Sequence, residues 1–133
     1  MNENQGDITI LVVDDDIDVR EQMQFQLEAA GYKVVTAEGQ IPAEKLLETM
    51  KPDLAIVDLM MEHVDGGFAL SYHIKKIDPN IPVLLVTGVT AETGFEFDAQ
   101  TAEERSWIKA DALLPKPIRY EQLIGEVKKL LNR

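Results

Sequence analysis

Three aspartates in a row, Asp14, Asp15 and Asp16, follow the apolar run Ile8-Thr9-Ile10-Leu11-Val12-Val13. A second apolar run, Leu54-Ala55-Ile56-Val57, ends in Asp58, and later runs end in Thr87 and in Lys116-Pro117. Gathered in one place, these carboxylates, hydroxyl and ammonium suit a divalent cation together with a phosphoryl group. A hard cation takes oxygen donors and keeps several waters, as Mg²⁺ does. Three ionised carboxylates repel one another, and a divalent cation relieves that repulsion. The plainer reading of an acidic triplet is a solvated helix start, and it accounts for Asp16 and Asp18. It does not account for Asp58, because a carboxylate closing a buried run is costly unless paired. Taken singly, Lys116 reads as a solvated lysine and Asp65-Gly66 as a turn.

These residues meet only if the runs that carry them are neighbours. Each run is short, apolar and bounded by polar residues, as a buried strand is. Helical patterns separate the runs. Asp16 or Asp18 can cap a first helix with Val19, Met23, Leu27 and Ala30 facing inward and Gly31 as its stop. A short strand is expected over residues 32–37, then a helix over 42–50 with Pro42 in its first turn. Leu70, Ile74 and Ile77 set the next helix in register, and residues 81–87 form the fourth strand. A fifth, shorter strand is expected at 112–114, before a closing helix with Tyr120, Leu123, Val127 and Leu130 facing inward.

Strands alternating with helices predict an α/β fold: a doubly wound five-stranded parallel sheet with helices on both faces and right-handed crossovers. The flavodoxin-like order 2-1-3-4-5 makes the first strand central. Asp14, Asp15 and Asp58 then converge at the carboxyl edge, where the strand order reverses and such sheets place their sites. Residues 1–7 are expected to form a flexible N-terminal segment and 8–133 a single domain. Residues 89–109 break the alternation. Only 101–109 has a helical pattern, with Thr101 and Glu104 as a capping box. Phe95, Phe97 and Trp107 are expected to anchor this excursion to the body.

Composition narrows the function. The net charge of −11 argues against nucleic acid, which needs a basic footprint, and favours basic or mixed-charge protein partners. With no cysteine, disulfides and thiolate metal sites are excluded, which suits a cytoplasmic protein. The opening residues lack the apolar core of a signal peptide. No run of about 18 apolar residues exists, so no membrane partner or span is expected. His63 and His73 lack metal-ligand spacing and are expected at the surface.

Over nearly its whole length the chain resembles the receiver domain of bacterial two-component response regulators. The matching residues are Val12-Val13-Asp14-Asp15, Val57-Asp58 followed by Asp65-Gly66, Thr87-Gly88 and Lys116-Pro117. The resemblance implies a phosphorylation-controlled signalling switch rather than an enzyme. Asp58 would accept a phosphoryl group from a sensor histidine kinase or histidine phosphotransferase in a Mg²⁺-dependent reaction. Asp14, Asp15, Asp58 and the backbone carbonyl of Met60 would hold the metal. Thr87, Gly88 and Lys116 would bind the phosphoryl oxygens. A downstream protein, unnamed by the sequence, would read the phosphorylated state. With no output domain after Arg133, the chain reads as a stand-alone receiver or a piece of a longer regulator.

The chain departs from the family pattern in places. Glu62 stands where proline is usual, an extra residue falls at Gly66-Gly67-Phe68, and Leu113 replaces the usual aromatic switch residue. Residues 89–109 displace the usual fourth helix and are expected to form the output face. Apolar Met60 and Val89, two residues past Asp58 and Thr87, predict a long-lived acyl phosphate. Phe25 lies off the inward stripe of the first helix, either on a docking surface or at the core's edge. Two rival readings are a haloacid-dehalogenase-like phosphatase using Asp14, and a receiver-like partner-binding module that is never phosphorylated.

Overall fold

The computed structural model describes residues 8–58, 66–87, 111–116 and 118–131. Five strands, β1 (Thr9–Val13), β2 (Lys33–Ala37), β3 (Leu54–Asp58), β4 (Val83–Thr87) and β5 (Ala112–Pro115), form one sheet. Its order is β2-β1-β3-β4-β5 and every pairing is parallel, as the alternation predicts. Around it lie α1 (Ile17–Ala29), α2 (Gln40–Leu46), α3 (Gly66–Ile77) and α4 (Tyr120–Leu131).

The sheet divides the interior into two cores by residue parity, because successive strand side chains point to opposite faces. Even-numbered residues Ile10, Val12, Leu54, Ile56, Leu84 and Val86 pack with Met23 and Leu27 of α1 and with Leu123, Ile124 and Val127 of α4. Odd-numbered residues Leu11, Val13, Ala55, Val57, Val83 and Leu85 pack with Ala43 of α2 and with Leu70 and Ile74 of α3. Both faces are covered, so β3 and β4 read as unbroken apolar runs rather than alternating ones.

Local chemistry sets the element ends. Asp16 caps α1, its Oδ1 accepting from the Asp18 N–H at 2.9 Å, and Gly31 follows the helix at φ 102°, a conformation glycine adopts without a Cβ penalty. At the amino edge of the sheet, Asp53 and Asp111 repeat one device. Asp53 N–H donates to the Thr9 carbonyl at 2.8 Å, and Thr9 N–H donates to Asp53 Oδ2 at 2.8 Å. Asp111 N–H donates to the Val83 carbonyl at 2.9 Å, and Val83 N–H donates to Asp111 Oδ2 at 2.8 Å. Each aspartate thereby satisfies the first donor of the neighbouring strand.

Several expectations need correction. α2 spans Gln40–Leu46, starting before Pro42 and giving way to turns over 47–49. A Gln40 Nε2 to Glu44 Oε2 bond of 3.0 Å supports the earlier start. Ile77 and Tyr120 are each 42% exposed, so the buried stripes of α3 and α4 omit them. Both sit at helix ends, Ile77 last in α3 and Tyr120 first in α4. Phe25 is 73% exposed, which settles its placement on the surface of α1. The excursion at 89–109, His63 and the N-terminal segment lie outside the described residues.

Candidate phosphoryl-transfer site

Strand register brings the acidic residues together. Val13 pairs with Val57, so Asp14 and Asp58 follow side by side; Asp58 pairs with Val86, so Thr87 comes one step further along. Thr87 pairs with Pro115, and the next residue, Lys116, donates its N–H to the Thr87 carbonyl at 2.7 Å. Oxygens of Asp14, Asp15 and Asp58 lie within 4.8 Å of one another. Asp14 is fully buried and Asp58 and Thr87 nearly so, whereas Asp15 is exposed. The pocket therefore has a closed floor and an open rim.

The two oxygens of Asp14 have different tasks. Oδ1 accepts from the Asp16 N–H at 2.9 Å and fixes the turn into α1. Among the described residues Oδ2 is buried without a hydrogen bond and forms an ion pair with Lys116 Nζ at 3.2 Å. Lys116 Nζ also faces Asp58 Oδ2 at 3.7 Å. Partial burial alone lowers the ammonium's pKa, but the charges of Asp58 and Asp14 outweigh it and hold the net value above the ordinary one. Lys116 is thus a cation facing two carboxylates, Asp14 and Asp58. An all-oxygen donor set with a buried oxygen lacking a hydrogen bond fits a hard divalent cation.

Of the residues singled out from the sequence, Asp14, Asp15, Asp58, Thr87 and Lys116 meet at this edge. The Met60 carbonyl and Gly88 lie outside the described residues, as do Val89 and Pro117. Leu113 is partly buried against the odd-numbered core. One contact escaped the sequence reading: Arg20 Nη1 donates to the Asp14 carbonyl at 2.7 Å. A basic residue one turn into a helix that follows an acidic strand end is the signal that marks it.

Fold and pocket together define a class: flavodoxin-like α/β domains with an acidic pocket at the switch point of the sheet. Within that class, residues 10–128 match the family described as response regulator receiver domain, and the chain belongs to that family. It is 32% identical over 128 residues to the response regulator MprA of Mycobacterium sp. (strain KMS), covering 95% of this chain and 51% of that protein. It is 33% identical over 124 residues to the alkaline phosphatase synthesis transcriptional regulatory protein PhoP of Bacillus subtilis (strain 168), covering 93% of this chain and 48% of PhoP. The chain thus spans about half the length of these relatives. Among solved structures, the response regulator protein TrrA of Thermotoga maritima, in complex with Mg²⁺–BeF, superimposes with a TM-score of 0.75. That match has 29% identity and covers 92% of this chain and 98% of TrrA. Among the described residues no helix is long and apolar enough to cross a membrane.

Proposed function

We propose that Asp58 accepts a phosphoryl group from the phosphohistidine of a sensor histidine kinase or a histidine phosphotransferase, in a Mg²⁺-dependent reaction in the cytoplasm. The observation that carries this reading is the placement of Asp58 beside Asp14 and Asp15, with its Oδ2 3.7 Å from the ammonium of Lys116, at the carboxyl edge of the sheet. A carboxylate is a competent covalent acceptor. An Asp58 oxygen forms the new P–O bond as the P–N bond breaks, and the imidazole leaves with the electron pair. Charge spreads over the equatorial oxygens during transfer, so catalysis is positioning and electrostatics. Lys116 supplies a fixed positive charge for one of those oxygens. The Thr87 hydroxyl, or the Gly88 N–H, serves another.

Asp14, Asp15 and Asp58, with the Met60 carbonyl, would hold Mg²⁺. When bound it neutralises phosphoryl charge and the mutual repulsion of the carboxylates. Asp14 contributes through Oδ2, since Oδ1 is committed to the Asp16 N–H. The phosphorylated domain then biases a two-state equilibrium that a protein partner reads.

Asp14 makes a poor nucleophile for the phosphatase reading, being fully buried, hydrogen-bonded through one oxygen and ion-paired through the other. The test is incubation with Mg²⁺ and acetyl phosphate, followed by intact mass of the parent and of Asp58→Ala. One phosphoryl group on the parent alone is expected. No gain leaves the partner-only reading, and a gain retained in the variant moves the acceptor elsewhere.

A further inference from the structure

Arg20 clasps the acidic turn twice. Its backbone N–H donates to the carbonyl of Asp16, the helix cap, at 3.0 Å, and its guanidinium reaches back to the carbonyl of Asp14 at 2.7 Å. Asp14 is the last rung of β1 to reach β2, its N–H donating to the Ala37 carbonyl at 3.2 Å. Past that point, among the described residues, no ladder bond fixes the next peptide plane. The Arg20 fork holds the carbonyl end of that plane, and the plane leads directly into Asp15.

Asp15 needs such help. Asp14 is fixed by burial and by the Asp16 N–H, and Asp58 by its place in a fully buried strand. Asp15 is exposed, and among the described residues no hydrogen bond or ion pair holds its carboxylate. What the backbone can fix is where that side chain starts, and this follows the peptide plane that precedes it.

We infer that Arg20 is a positioning residue for cation binding: by holding the Asp14–Asp15 peptide plane it aims the Asp15 carboxylate into the pocket. This rests on the reading that the three carboxylates hold a divalent cation. The alternative role, a purely electrostatic one, predicts the opposite sign. A guanidinium beside a cation site repels the cation, so deleting its charge should tighten binding. Only lost positioning makes a charge-deleting variant bind more weakly.

The experiment is calorimetric titration of Mg²⁺ into the unphosphorylated parent, Arg20→Met, Arg20→Lys, Asp15→Asn and the Arg20→Met/Asp15→Asn double variant, each checked for folding by circular dichroism. Removing a residue that orients a metal ligand costs about tenfold in affinity, and that loss is expected for Arg20→Met. Arg20→Lys keeps the charge and one donor, so a smaller loss is expected and folding is the less disturbed. If Arg20 acts through Asp15, Arg20→Met costs little once Asp15 is Asn, because coupled residues do not add. Unchanged or tighter binding by Arg20→Met, or full additivity with Asp15→Asn, overturns the inference and leaves the cation site standing. A parent that binds no Mg²⁺ overturns both.

Discussion

The two edges of the sheet use the same residue types to opposite ends. At the amino edge, Asp53 and Asp111 accept from strand N–H groups, and Lys75 Nζ donates to the Pro79 carbonyl at 3.3 Å, the Ile81 carbonyl at 2.7 Å and Asp111 Oδ2 at 2.7 Å. The three protons of that ammonium have three acceptors. At the carboxyl edge, Lys116 faces Asp14 and Asp58 at 3.2 and 3.7 Å, and among the described residues the buried Asp14 Oδ2 has no hydrogen bond. Saturation closes the first edge to ligands. The second keeps, among the described residues, an excess of negative charge over one lysine, so a cation has something to gain by arriving.

The largest difference between the edges should appear in rate. Removing a preorganised charge from a transfer site costs about 100-fold. Lys116→Met should therefore slow acetyl phosphate labelling of Asp58 by about that factor, while Lys75→Met leaves it unchanged. Equal effects would break the contrast. Next comes stability at the saturated edge. Asp111→Ala leaves the Val83 N–H and the Lys75 ammonium short of a partner, a loss of about 2 kcal/mol. Urea unfolding should register this loss, with Asp58 labelling retained once the protein is folded.

A smaller effect of opposite sign is expected across the sheet. With divalent cations chelated, Asp58→Asn should raise stability by about 1 kcal/mol, as relief of a strained functional site commonly does. A fall in the urea midpoint would contradict the claim of unrelieved repulsion. The smallest effect lies at high pH. The pKa of Lys116 is raised in the folded state, so its contribution is fully present below the ordinary lysine value of 10.5. That contribution fades as pH climbs through the raised value. In Lys116→Met the decline of stability above pH 10.5 should be shallower, as thermal unfolding across the alkaline range would reveal.

Much of this was legible in the residues themselves, and the exceptions share a cause. The runs ending in Val13, Val57 and Thr87 announce buried strands because each is apolar and short. Gly31 announces a helix stop because few other residues tolerate its φ. Asp14, Asp15, Asp58, Thr87 and Lys116 converge because parallel strands all end on one edge. Arg20, Asp53 and Asp111 were not legible by type alone. Their roles depend on backbone carbonyls and N–H groups, which every residue carries and no sequence distinguishes. In hindsight, Asp53 and Asp111 each stand directly before a strand. Tyr120 and Ile77 follow helical spacing yet remain half-exposed, since periodicity gives the direction of a side chain and not whether the core reaches that far.

Strand β3 has a consequence for how a signal could leave the site. It is bonded on one side to β1 and on the other to β4, and all five of its residues are buried. Amides in such a strand exchange with solvent deuterium only when the whole domain opens. Those of Ala55, Ile56 and Val57 should be among the slowest in the protein, and acyl phosphate formation should leave their pattern unaltered beyond any change in global stability. Asp58 is thus a stationary post. A rearrangement that follows modification has to travel through groups that come to the phosphoryl oxygens, and deuterium uptake outside β3 is where it will register.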